Sequence, residues 1–300
     1  EVVLHRLELV RNGERLDLLG SVQPRLVQRE DGLEQHLYDG RLTAIWEVPG
    51  VRVGDLLEYA FTIRGGNPVL GERRSGMYST RWGVPVDRIR LRLLWPEARE
   101  LRLLAADRAL DYSRRVENGK VAHVWSREHV PRILYEDGLP GWYDTGDWVQ
   151  YSEFPSWGEV VEWALEHYEI PQELPVELET RIEAWAGLEP EAQLEAALQF
   201  LQDEIRYVSL STGVHSYRPY DVQEVMARGF GDCKDKARML CAILRRLGIE
   251  AWPALVHSQL REHVADWLPS VSAFDHVVVQ ARVGGREIWL DPTVAFQGGS

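Results

Sequence analysis

The sequence predicts an α+β chain in two regions. Residues 1–150 form an antiparallel β-sandwich-like region, and residues 151–300 run helices first and antiparallel sheet afterwards. Three observations predict it. Up to about residue 130, short runs mix or alternate apolar and polar residues in the pattern of half-buried strands, with turn signals between them. A Pro- and Gly-bearing connection then runs from Pro131 through Gly138-Leu139-Pro140-Gly141 to Pro155. Beyond it the apolar spacing becomes helical, and strands return only after about residue 250.

The elements follow in order. Leu4 to Val10 and Leu56 to Ile63 are rich in β-formers, Arg88 to Trp95 alternates cleanly, and Val121 to Trp125 is a further strand. Asn12-Gly13, Asp39-Gly40, Gly65-Gly66-Asn67-Pro68 and Asn118-Gly119 mark the turns between them. Past the connection, Ser156 caps a helix with Glu159 three residues on, and Val160, Trp163, Ala164 and His167 follow at helical spacing. A second helix is predicted over 176–187. A third starts after Pro190 and carries Leu194, Ala197, Leu198 and Leu201.

A fourth helix opens at Asp232 and ends at Arg245-Arg246-Leu247-Gly248, with cations in its last turn and a C-terminal glycine. Strands are predicted from Glu250 to His257, Asp275 to Arg282 and Glu287 to Leu290, the last two joined by Gly284-Gly285.

Composition bounds the function. The net charge is −13 with 45% hydrophobic residues, so a sizeable core is available and polyanion binding is disfavoured; no nucleic-acid partner is expected. From Glu153 to Glu204 the chain carries fourteen acids and one base, Arg181. That run reads as a solvated acidic face, with docking of a cationic partner as the other reading. No apolar run reaches bilayer-spanning length. The chain begins at Glu1 without a signal-like segment. The two cysteines, Cys233 and Cys241, would lie roughly 12 Å apart on one helix, beyond disulfide reach.

The chemistry concentrates in Gly231-Asp232-Cys233-Lys234-Asp235-Lys236, followed by Phe274-Asp275-His276 and Trp289-Leu290-Asp291-Pro292. Cys233 falls in the first turn of a helix, where backbone N–H groups and the dipole favour negative charge. Its neighbours are too polar for a core cysteine, whereas Cys241 lies on the apolar stripe of Ala237, Leu240 and Leu244. With Gly284-Gly285 as a two-residue turn, Arg282 faces Glu287 and Val278 faces Asp291. His276 and Asp291 then become diagonal neighbours on one face; a one-residue change in the loop would separate them. Cys233, His276 and Asp291 therefore supply nucleophile, base and orienting carboxylate. His257 and His263 show no metal-ligand spacing, and no HExxH or CxxC pattern occurs, so neither metal nor cofactor is expected. Lys234 and Asp235 are read as supports for the start of the helix. The histidines of the N-terminal region, His5, His36, His123 and His129, form no such set.

These residues resemble the transglutaminase-like superfamily of cysteine acyl-transfer enzymes. The matching stretches are Ile205 to Val208, Gly229 to Ala237, Leu247 to Ala251, Phe274 to Val278 and Trp289 to Thr293. The N-terminal region resembles the uncharacterised β-rich domain that precedes this core in many bacterial envelope proteins, through Val53-Gly54-Asp55, Glu58-Tyr59 and Asn67-Pro68.

The resemblance implies a papain-like transglutaminase core, with Cys233 as nucleophile, His276 as base and Asp291 as orienter. It implies attack on a peptide or protein amide to give a thioester, resolved by water or by an amine. It also implies a periplasmic or otherwise extracytoplasmic location, in a longer or membrane-attached protein. For the oxyanion, the Cys233 backbone N–H is one candidate donor and Tyr207 the other. The segment from Ser258 to Ala273 is expected to border the site, with Trp267 and Leu268 shielding a thioester. The N-terminal region is expected to recognise or position substrate and to pack against the core. The rival reading is a non-catalytic binding or scaffold module with a vestigial triad.

Overall fold

A computed structural model of the chain describes residues 1–29, 37–38, 40–134, 138–143 and 147–294. His36 and Asp39, both singled out in the sequence, lie outside the described residues.

The N-terminal region holds three three-stranded antiparallel sheets and a two-stranded one, Arg25–Gln28 with Leu42–Ile45, among its described residues. In one, Val2–Arg11 lies between Glu14–Asp17 and Leu56–Ile63. In the next, Lys120–Val130 lies between Asp111–Glu117 and Val86–Pro96. In the third, Trp148–Ser152 lies between Ser75–Ser79 and Arg102–Ala105. The two Asn-Gly signals become tight hairpins. Asn12 and Asn118 take φ of 52° and 51°, and Gly13 and Gly119 take 84° and 72°, the left-handed pair that matches strand twist. The sandwich expectation thus resolves into several thin sheets. Trp148–Ser152 runs across residue 150, where the sequence placed the division, and among the described residues its strand partners both lie in the N-terminal region. In the reverse direction, Leu37–Tyr38 pairs in parallel with Ser209–Leu210 of the C-terminal region.

The C-terminal region carries five α-helices among the described residues: α1 (Trp157–His167), α2 (Val176–Trp185), α3 (Pro190–Glu204), α4 (Val222–Arg228) and α5 (Cys233–Arg246). Ser156 caps α1 by accepting from the Glu159 N–H. α2 stops two residues before its predicted end, because the Ala186 N–H turns back to Glu183. α4 was not foreseen; seven residues give too little periodicity to read.

α5 is the centre of the fold. From Lys234 to Leu244 every residue but Arg238 is buried. Its C-terminus closes in a Schellman arrangement, with Gly248 at φ 81° and the Ile249 N–H donating to the Leu244 carbonyl. The helix lies against the sheet formed by Glu250–Val256, His276–Val283 and Arg286–Leu290. Leu178 of α2, Leu201 of α3, Leu240 and Leu244 of α5 and Val279 of the sheet belong to one buried core. The register is the one the two-residue turn requires: Arg282 faces Glu287 and Val279 faces Leu290. The architecture is α+β, with antiparallel sheets first and then helices and an antiparallel sheet.

Candidate active site

Four elements meet at one end of α5. Cys233 is the first helical residue, half-buried, behind the N-cap Asp232. A capping box fixes this end: the Asp232 side chain accepts from the Asp235 N–H, and the Asp235 side chain accepts from the Asp232 N–H. The chain arrives through Phe230–Gly231, paired in parallel with Arg206–Tyr207. Gly231 is required there, since a Cβ would come within 2.8 Å of the Asp235 Cβ and 3.2 Å of Val225.

The hairpin delivers the other two groups. His276 opens its strand, and its Nε2 lies 2.9 Å from Asp291 Oδ2. Asp291 is fixed in turn: its Oδ1 accepts from the Thr293 N–H at 2.9 Å and the Thr293 hydroxyl at 2.6 Å, and its carbonyl accepts from Gln202 at 3.1 Å. The Cys233 side chain shares one cavity with His276 and Tyr207. With Nε2 committed to Asp291, Nδ1 is the imidazole nitrogen left for the thiol.

The electrostatics follow from these contacts. The hydrogen bond to Asp291, and after it the one to Cys233, hold the His276 imidazolium up to about 10, against the effect of burial. Burial raises the Asp291 carboxyl, but hydrogen bonds from His276 and Thr293 outweigh it and the net direction is down. Burial, then the nearby Cys233 and Asp232, push the Tyr207 phenol well above its ordinary value, so it stays a proton donor. The site thus favours an imidazolium beside the Asp291 carboxylate.

Behind Cys233 lies a buried polar layer that sequence spacing does not reveal. Asp232 accepts from Ser209 at 2.9 Å and pairs with the Lys234 ammonium. Asp235 accepts from the Tyr220 N–H at 2.8 Å and from Arg228 at 3.0 Å. Lys236 is 1% exposed and donates to the Ile205 carbonyl at 2.7 Å. Burial brings its ammonium down to about 8, against the pull of Asp291 and Asp203. Lys234 and Asp235 were read as supports of the helix start. Ser209, Tyr220 and Ile205 come from segments 15 or more residues away and Arg228 from the end of α4, and only Thr293, two residues past Asp291, carried a local signal, that of an Asx-type turn.

Cys233, Tyr207 and His276 line one cavity of about 240 Å³, together with Ser209, Lys234 and Phe274. Trp267 and Leu268 are placed elsewhere. Trp267 packs edge-on against Trp148 and His257, and Leu268 is tied through its backbone to Gln150 of the N-terminal region. The expected shield is a docked strap there, and the connection reaches the cavity instead through Val271, Phe274 and Asp275.

The site thus brings a half-buried cysteine at a helix N-terminus into one cavity with a carboxylate-paired histidine. Comparison with known proteins points the same way. Residues 180–291 match the model of the transglutaminase-like superfamily, and residues 1–133 match DUF3857, a domain of unknown function. The chain thus carries a match to a DUF3857 domain at its N-terminal side, followed by a match to a transglutaminase-like core. Its fold is similar to the crystal structure of a "putative protease" from Parabacteroides distasonis, with 14% identity and a TM-score of 0.73. That match covers 97% of this chain and 57% of the other, so the chain spans little more than half the length of that protein. No curated protein matches the chain in sequence.

Proposed function

We propose that the chain is a cysteine-dependent acyl-transfer enzyme acting on peptide or protein amides through a thioester. The observation that carries this is the convergence of Cys233, Tyr207 and His276 in one cavity, with Asp291 held on the far side of the imidazole.

In this reading His276 takes the Cys233 proton, and Asp291 fixes the tautomer and stabilises the imidazolium. The sulfur lone pair forms the S–C bond to the amide carbonyl, and the C=O π pair moves onto oxygen. The Cys233 N–H, which has no acceptor within the first helical turn, and the Tyr207 hydroxyl receive that oxyanion. As the carbonyl re-forms, the C–N bond breaks and His276 passes its proton to the leaving amine. A thioester remains. Water or a second amine, deprotonated by His276, then attacks the acyl carbon and releases the thiolate. Water gives hydrolysis and an amine gives cross-linking.

The N-terminal region contributes no group to the cavity among its described residues. In this reading it positions α1 and the strap, and binds more distant portions of the substrate. We also propose that the protein works outside the cytoplasm, where envelope peptides and proteins are available; among the described residues no helix is long and apolar enough to cross a membrane.

The test is to trap the acyl group. Acid quenching during turnover of a peptide library should leave a mass adduct on the peptide containing Cys233, discharged by hydroxylamine. A library that is cleaved without any Cys233 adduct would defeat the mechanism, and no cleavage at all would favour the scaffold reading.

A further inference from the structure

The cavity around Cys233 shares a wall with a second, larger hollow of about 420 Å³. Tyr168, Leu255 and Phe274 line both. The wider hollow continues away from the sulfur between α1, the strand Glu250–Val256 and the connection after it, and no charged residue lines it. Val161 and Leu165, both on α1, are 55% and 63% exposed. Apolar side chains left open beside a reacting centre are what a binding subsite requires.

The position of this groove is set by the sheet. Leu255 pairs with Val277 and Val256 pairs with His276, so the groove begins one residue along the strand from the histidine. Its walls are already packed. Trp157 meets the Phe274 ring edge-on at 5.6 Å, and the Trp163 indole N–H on the opposite side of α1 donates to the Val69 carbonyl at 3.0 Å. Phe154, Val160 and Val271 form a buried cluster behind them. Filling the groove therefore needs no rearrangement of α1.

The two hollows differ in kind. Ser209, Ser211, Ser216 and Lys234 line the cavity around Cys233 and not the wider groove, a polar lining suited to water or an incoming amine. The half of the substrate that stays on sulfur through both steps is the acyl half, and the apolar end can hold it without obstructing the acceptor. We infer that this groove is the subsite for a large apolar side chain on the acyl side of the attacked amide. That side chain is carried by the residue supplying the carbonyl or by its neighbour, a role that rests on the catalytic reading above. The substrates are then peptides with a leucine- or phenylalanine-sized residue at that point, and an acidic residue there is excluded, because no cation lines the groove to receive it.

The test compares blocked dipeptide chloromethyl ketones that vary one residue among leucine, phenylalanine, alanine and aspartate, placed next to the reactive ketone or one residue back. Their rates of alkylating Cys233 are measured, with iodoacetamide as the side-chain-free control. The same dipeptides as amides are titrated into Cys233→Ala protein, using chemical shifts of the Trp157 indole. Leucine or phenylalanine should react about 10- to 100-fold faster than aspartate in one of the two placements. Leu165→Asp should remove most of that preference while iodoacetamide still reacts at the wild-type rate. Val161→Asp, also at an exposed position of α1, provides a second variant should the first fold poorly. Equal rates across both series, with Cys233 alkylated, would overturn the subsite and leave the nucleophile in place. If Cys233 resists every reagent while apolar amides still bind Cys233→Ala protein preferentially, the catalytic reading falls and the groove stands. Absence of preference in both assays overturns both.

Discussion

The N-terminal and C-terminal regions bury their chains very differently. In the C-terminal region a continuous core runs from Tyr168 to Leu290 and wraps α5 almost completely. In the N-terminal region the cluster beneath the first sheet comprises Leu7, Leu9, Leu18 and Val22, and the edge strand Leu56–Ile63 leaves Tyr59, Phe61 and Ile63 exposed. The difference teaches where precision is needed. A histidine–carboxylate pair at 2.9 Å beside a half-buried thiol needs groups that cannot move, and a fully packed helix holds the thiol at its N-terminus. Thin sheets gain some of their order from docking. Gln150, Ser152, Trp148 and Asn67 of the N-terminal region all contact the C-terminal one.

The largest effect should come from the site itself. Cys233→Ala should lower turnover by about 10⁴-fold or more with the fold intact, and Asp291→Asn by about 10²- to 10⁴-fold. The pH dependence separates them. His276 titrates near 10 in the folded protein, above its ordinary 6.5. Its contribution to stability is therefore complete below the unfolded value and fades as pH rises from about 6.5 towards 10. NMR titration of His276 should show the greatest downward shift in Asp291→Asn and a smaller one in Cys233→Ala, following the order of the two hydrogen bonds. An unchanged midpoint in Asp291→Asn would break the assignment of Asp291 as orienter.

Next in size is a direct contrast of the two packings. Leu240 is fully buried, and Leu240→Ala should cost about 2–5 kcal/mol in denaturant unfolding. Tyr59 is 61% exposed, and Tyr59→Ser should stay within about 0.5 kcal/mol. If both cost the same, the N-terminal region is covered in solution by something that hides its edge strand. The two thiols give a version of the same contrast. Burial pushes the Cys241 thiol up to about 12 and leaves it fully enclosed, whereas Cys233 lines the cavity. Iodoacetamide should therefore label Cys233 in the native protein and reach Cys241 only after unfolding.

Much of the C-terminal region was legible in the sequence because its signals are local. The capping pattern at Ser156, the cations and glycine closing α5 and the two-residue turn at Gly284-Gly285 each act over a few residues. The turn then determines that His276 and Asp291 share a face. The layer behind Cys233 was not legible. Ser209, Tyr220 and Arg228 reach Asp232 and Asp235 from separate segments, and no spacing rule connects them. The sheets of the N-terminal region were legible as strands and hairpins, but their partners were not. Strand pairing is a long-range choice, and alternation alone does not say that Trp148–Ser152 sits between Ser75–Ser79 and Arg102–Ala105. Trp267 and Leu268 were expected beside the site because the ends of their segment are pinned there. The length of the segment instead lets its middle reach across to Gln150.

The smallest effect sharpens the comparison most, because it asks whether the junction between the two regions acts on the chemistry. Gln150 is 2% exposed; its side-chain oxygen accepts from the Leu268 N–H at 2.7 Å and its amide donates to the Leu268 carbonyl. Gln150→Met keeps the volume and leaves that backbone pair without its partner, a loss of about 1–3 kcal/mol in stability. The strap continues from Leu268 into Val271 and Phe274, which line the cavity, so loosening it should be felt there as a modest rise in KM. The chemistry should be spared, because His276 is held by Asp291 and not by the strap. Steady-state kinetics on a cleaved peptide should thus show KM raised about two- to fivefold with kcat within a factor of about two, the pattern of lost uniform binding. A fall in kcat with KM unchanged would place the N-terminal region inside the catalytic machinery and erase the division of labour between the two packings.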